Sequence, residues 1–184
     1  MRAFVLTLSI AGLLFMGTGS MRAAVKYPLV VTLEAQVKSG VTTVNSLVTV
    51  RVERAMLSSW RTQVTDALKH GGYSNFVNKL RPLSSIGTIE TQSAKVEIRY
   101  QREEAVGTGT KLVLIADRPL FFLGDPAKSK AGYDLTVVEL QLDGKGGVTG
   151  QMSGAARVRP SPDGTVLLDT YLEGLVQLKG KGGL

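Results

Sequence analysis

From Leu29 onward the chain alternates apolar and polar residues with a period of two. Leu29, Val31, Leu33, Ala35 and Val37 interleave with Val30, Thr32, Glu34 and Gln36. After the turn Lys38-Ser39-Gly40, Val48, Val50 and Val52 interleave with Thr49, Arg51 and Glu53. Val96, Ile98 and Tyr100 interleave with Lys95, Glu97, Arg99 and Gln101. Successive strand side chains point to opposite faces, so each run predicts a strand with one face on a core and one in water. Residues 110–116 are apolar on both faces, the pattern of a central strand. Tyr133, Leu135 and Val137 then shift phase to Val138, Leu140 and Leu142, which predicts a β-bulge near Val137.

Turn signals separate these runs. Asp143-Gly144-Lys145-Gly146-Gly147 and Pro160-Ser161-Pro162-Asp163-Gly164 read as hairpin connections. Val148, Gly150, Met152, Gly154, Ala156 and Val158 form an inward row rich in small residues. Such a strand curves, or lies close under a neighbouring backbone or a ligand. Residues 166–169 and 175–178 read as the last strands. The fold predicted is mainly β: an antiparallel barrel or sandwich of about eight to nine strands.

One stretch departs from this period. Trp60, Val64, Ala67 and Leu68 form a helical stripe, with Ser58 or Ser59 as the expected cap and Gly71-Gly72 as the stop. Ser74 starts a second short helix carrying Phe76, Val77 and Leu80, closed by Pro82. A short helical hairpin at about 57–82 is therefore inserted among the strands.

The first 24 residues read as an address. Arg2 is the positive n-region, residues 3–16 are apolar, and Gly17-Thr18-Gly19-Ser20 precede Ala23-Ala24. The apolar run is shorter than the roughly 20 residues of a membrane span, so residues 1–24 are expected to be a cleaved secretory signal. Residues 25–184 then form a single β-rich domain, exported to the periplasm or the extracellular space. No later apolar run approaches spanning length.

Composition narrows the chemistry. The chain of 184 residues has no cysteine and one histidine. That removes disulfides, thiolate metal sites, a cysteine nucleophile and multi-histidine metal sites. An exported domain without disulfides is held by its core alone. The formal charge of +7 falls by two when Arg2 and Arg22 leave with the signal. Part of the remainder gathers on the helical insertion, where Arg61, Lys69, Lys79 and Arg81 accompany only Asp66. This favours anionic surfaces, but no nucleic-acid motif accompanies it.

No established active-site pattern emerges. Gly107-Thr108-Gly109-Thr110-Lys111 lacks P-loop spacing and runs into a strand. Asp143 is followed by Lys145 and Gly147, which give a calcium ion no side-chain oxygen. The second Gly-Lys-Gly-Gly, at 180–183, reads as a frayed tail. His70 sits at a predicted helix end, where the dipole favours a cation. Glu103, Glu104, Asp117, Asp134, Glu139 and Asp169 are the acids that a carboxylate hydrolase would draw on, and Asp117 is expected to pair with a basic neighbour. The length suits a lipocalin-like barrel, but that family's early Gly-x-Trp signature is absent; the only tryptophan is Trp60, in the predicted helix.

The reading that follows is an exported, non-enzymatic β-domain with no catalytic residue, metal or cofactor. It is expected to bind an apolar or amphipathic small ligand. Trp60, Phe76, Phe121 and Phe122 are the expected apolar lining, with Arg61 or Arg118 for an anionic headgroup. The alternatives are an envelope protein-interaction or structural module, using the Leu120–Leu123 patch and the basic helices, and the carboxylate hydrolase.

Overall fold

The structure is a computed structural model, and it describes residues 25–39, 41–121, 132–161, 166–170 and 175–182. The expected signal at 1–24, and Phe122 and Leu123, lie outside the described residues.

Among the described residues, nine strands form one antiparallel sheet. They are β1 (Leu29–Ser39), β2 (Thr42–Val52), β3 (Gly87–Glu90), β4 (Lys95–Val106), β5 (Gly109–Ala116), β6 (Leu135–Leu142), β7 (Gly147–Pro160), β8 (Val166–Thr170) and β9 (Val176–Gly182). Their spatial order is β6-β5-β4-β3-β2-β1-β9-β7-β8, and β6 also pairs with β7. That last pairing closes a barrel of eight strands and leaves β8 outside the ring, hydrogen-bonded to β7. The barrel alternative is therefore the one realised. Closure also removes most of the unpaired strand edge that an open sheet would expose.

The period-two residues fill the barrel. Leu33, Ala35, Val48, Val50, Leu112 and Leu114 are fully buried, and their register partners on neighbouring strands share that face. Burying each valine or leucine side chain contributes about 1.5–3 kcal/mol. No disulfide is available, so these contacts carry the fold. The final strand runs further than its apolar residues indicate. Gly180 and Lys181 pair with β1 and β7, so the expected frayed tail is ladder as far as Gly182. Backbone hydrogen bonding from both sides holds residues with little side chain to bury.

The phase shift near Val137 is present as an irregular register. Leu135 pairs with Ala156, and Val137 pairs with Ser153. Two steps on β6 thus meet three on β7, so the extra residue lies on β7. A second shift lies in β4, between Ile98 and Tyr100. It turns Tyr100 toward Phe76, with ring centroids 6.3 Å apart at 56°.

Phe76 belongs to α1 (Ser58–Leu80). The expected interruption falls at Gly72, whose φ of 70° and ψ of −168° break one helical element into two arms. Glycine adopts positive φ without a steric penalty. The cap differs from expectation: Leu57 occupies the N-cap with no side-chain hydrogen bond, and Ser58 and Ser59 are exposed in the first turn. Val64, Leu68, Phe76, Val77 and Leu80 are buried as α1 packs on β4 and β7. Among the described residues no helix is long and apolar enough to cross a membrane.

Candidate functional site

Two polar rows cross the outward face of five strands. In the first, Gln36 of β1, Gln177 of β9, Gln151 of β7 and Glu139 of β6 are successive register partners. In the second, Glu34, Lys179, Thr149, Gln141 and Lys111 follow one another from β1 to β5. Together they wall a concavity of about 470 Å³. Glu139 organises it: Lys111 Nζ lies 3.2 Å from Glu139 Oε2, and Gln151 Nε2 donates to the same oxygen at 3.1 Å. Beneath the rows, a Cβ on Gly150 would lie 2.2 Å from the Glu139 carbonyl oxygen. Only glycine lets β6 and β7 approach so closely here. The small-residue strand marked in the sequence is in this respect a device for close packing.

Each glutamine amide donates two hydrogens and accepts through its oxygen, and a carboxylate accepts only. The walls therefore match hydroxyl groups, which both donate and accept. Among the described residues no aromatic ring lines the concavity.

Of the residues expected to line an apolar site, Phe122 lies outside the described residues, and the others do not line this concavity. Phe76 is fully buried against Tyr100 and is core. Trp60 is half-buried and packs against that core from the first arm of α1, where Arg61 is also half-buried. Phe121 is half-buried beyond Leu120, which is buried. Arg118 is exposed, and its Nε lies 3.9 Å from Asp117 Oδ1. The principal partner of Asp117 is instead Arg99 of β4, whose Nε donates to Oδ2 at 2.6 Å. His70 is exposed, with Nδ1 3.0 Å from the Asp66 carbonyl oxygen, a helix-end arrangement as expected.

The acids are engaged separately. Arg81 and the Tyr73 hydroxyl both donate to Asp134. Glu104 pairs with Arg102 at 2.8 Å. Asp143 serves the β6–β7 hairpin: its Oδ1 accepts from the backbone N–H groups of Lys145 at 2.7 Å and Gly147 at 2.8 Å. Those bonds hold its carboxyl below the usual range. Among the described residues no cluster of histidine and acidic side chains suits a metal ion.

A buried polar knot ties the chain ends of β1 and β2 to β4. Gln101 is buried, its Oε1 accepts from Met56 N–H at 2.9 Å, and its Nε2 donates to Tyr27 and Glu103. The Tyr27 hydroxyl donates to Glu103 Oε1. Its alternation marked Gln101 as an outward polar residue; the β4 bulge reverses that phase and brings it in.

Tyr27 and Tyr73 titrate far above the usual phenol range. Burial is the main cause, followed by the carboxylates of Glu103 and Asp134, which accept from the phenols and repel the phenolates. Burial also pushes Tyr100 up. The folded protein thus keeps protons that an unfolded chain releases above about pH 10. The stability linked to these groups is complete below that pH and is lost as pH rises further. Phenolate absorbance from the three is expected to appear only together with loss of native circular dichroism. Tyr27→Phe and Tyr73→Phe should each remove one late phenol. Full ionisation of all tyrosines in a still-folded protein would contradict the arrangement.

Compared with known protein families, curated proteins and solved structures, the chain matches none of them significantly.

Proposed function

We propose that this chain is an exported, non-enzymatic β-barrel that binds a small polar, hydroxyl-rich ligand in the concavity across β1, β9, β7, β6 and β5. The observation that carries this reading is the pair of register rows, which bring four glutamines, Glu139 and Lys111 onto one recessed face. Hydrogen-bonding walls without an aromatic platform favour hydroxyls over an acyl chain. The ligand expected from the sequence was apolar. Phe76 has no exposed surface to offer one, and Trp60, Phe121 and Arg118 stand apart from the concavity. The signal-like pattern of residues 1–24 supports export. The non-enzymatic reading rests on Asp117, Asp134 and Glu139 each being held by a different basic side chain.

Titration calorimetry against a panel of neutral mono- and oligosaccharides tests the reading. A binder is expected, and Gln151→Ala with Gln177→Ala should weaken it about tenfold, since each lost hydrogen bond is worth about 0.5–1.5 kcal/mol. Both side chains face outward, so the melting temperature should stay near wild type. No binding across the panel, or binding that ignores the double variant, would reject the site. Co-purification of an acyl-chain lipid, found by mass spectrometry of an extract, would return the apolar reading.

A further inference from the structure

β3 covers only part of β2. It pairs with Thr49–Val52, whereas β2 runs from Thr42 to Val52 in unbroken register with β1. Among the described residues, positions 42–48 are therefore paired on one side only. The sequence there is Thr42-Thr43-Val44-Asn45-Ser46-Leu47-Val48, with no proline and no charge. Natural edges are normally blunted by a lysine, a proline, a bulge or a covering element. Here Thr43, Asn45 and Leu47 are exposed, and half of Leu47's surface is open to solvent. The protein otherwise carries charges along its outward faces, such as Glu34, Lys111 and Lys179.

We propose that this edge pairs with the same edge of a second copy of the chain, antiparallel and two-fold symmetric about Asn45. That register is the one that uses all of 42–48 on both copies. It sets Thr43 opposite Leu47 of the second copy, and Val44 opposite Ser46. Each copy then supplies backbone donors and acceptors that the other lacks. Charge selects the occupant. Along 42–48 there is no cation to hold an acidic strand and no acid to hold a basic one. Two copies, though alike in net charge, meet here with no like charges opposed. The contact involves fewer residues than the roughly 20–30 per side of a standard interface, so the dimer is expected to be weak and concentration-dependent. A two-fold axis through the paired strands keeps the same sheet face on the same side of both copies. This assembly does not depend on what the concavity binds.

Sedimentation velocity over a concentration series of the purified protein tests the proposal. The wild type is expected to move from monomer toward dimer as concentration rises. Thr43→Lys with Leu47→Lys puts like charges face to face at both symmetric contacts, and should weaken the dimer about tenfold. Thr43→Lys with Leu47→Glu puts opposite charges at those same contacts, and should restore it. Both positions are exposed, and circular dichroism should show both variants folded. A wild type that stays monomeric throughout would overturn the proposal. So would a dimer indifferent to the two lysines, or one that the lysine–glutamate variant fails to restore.

Discussion

Gly154→Val is expected to cost the protein its stable fold. A Cβ at this position would lie 2.0 Å from the Leu120 carbonyl oxygen and 3.0 Å from its carbon. Both are backbone atoms, so no side-chain rotation relieves the clash. Nor can the segment move away freely. Leu120 N–H donates to the Gly154 carbonyl at 2.9 Å, and Thr136 Oγ1 donates to the Arg118 carbonyl at 2.8 Å. Leu120 itself is buried. Yielding would break these bonds and expose that side chain. Overpacking typically costs about 1–3 kcal/mol. With lost hydrogen bonds added, the total should exceed about 4 kcal/mol, which lies in the exceptional range for single substitutions. Soluble yield and urea unfolding measure it. Thr149→Val, on the same strand but exposed, is the control and should stay within about 0.5 kcal/mol of wild type. A Gly154→Val protein that melts within a few degrees of wild type would show that the two backbones do not meet.

The same glycine shows how far a sequence of this kind can be read. The small-residue row at 148–158 called for curvature, a close backbone or a ligand, and at Gly150 and Gly154 it is a close backbone. Strand positions followed from alternation because one buried face imposes it. The short β3 did not, since Gly87–Glu90 has too few residues to show a period. The first half of β2 escaped for another reason: Thr42–Leu47 is mostly polar, and polarity there marks an edge rather than a loop. Closure was open between barrel and sandwich, because it depends on β9 meeting both β1 and β7, pairings between strands far apart in the sequence that local pattern does not encode. The polar concavity escaped entirely. Its residues come from five strands spread between positions 34 and 179, and only register makes them neighbours. Phe76 illustrates the converse. Its helical spacing was legible, but the partner that buries it, Tyr100, is set by a bulge.

Arg99→Ala is expected to destabilise the protein by about 3–5 kcal/mol, because it strands a buried carboxylate. The Asp117 side chain is 8% exposed and that of Arg99 16%. The guanidinium also donates to the Leu83 carbonyl oxygen and to Glu97. One side chain thus joins β4, the end of β5 and the segment after α1. Among the described residues Asp117 Oδ1 has no hydrogen-bond partner, only exposed Arg118 at 3.9 Å, so Arg99 is the chief compensation for its charge. In a domain of this size each kcal/mol shifts the melting temperature by about 2–4 °C, so a fall of about 10 °C is expected. The double variant Arg99→Met with Asp117→Leu removes both charges and keeps most of the volume. It should recover most of the loss, since well-packed apolar replacements of a buried pair are often neutral or stabilising. That recovery separates a stranded charge from lost packing. If the double variant melts as low as Arg99→Ala alone, the arginine acts through its contacts to Leu83 and Glu97 rather than by neutralising Asp117.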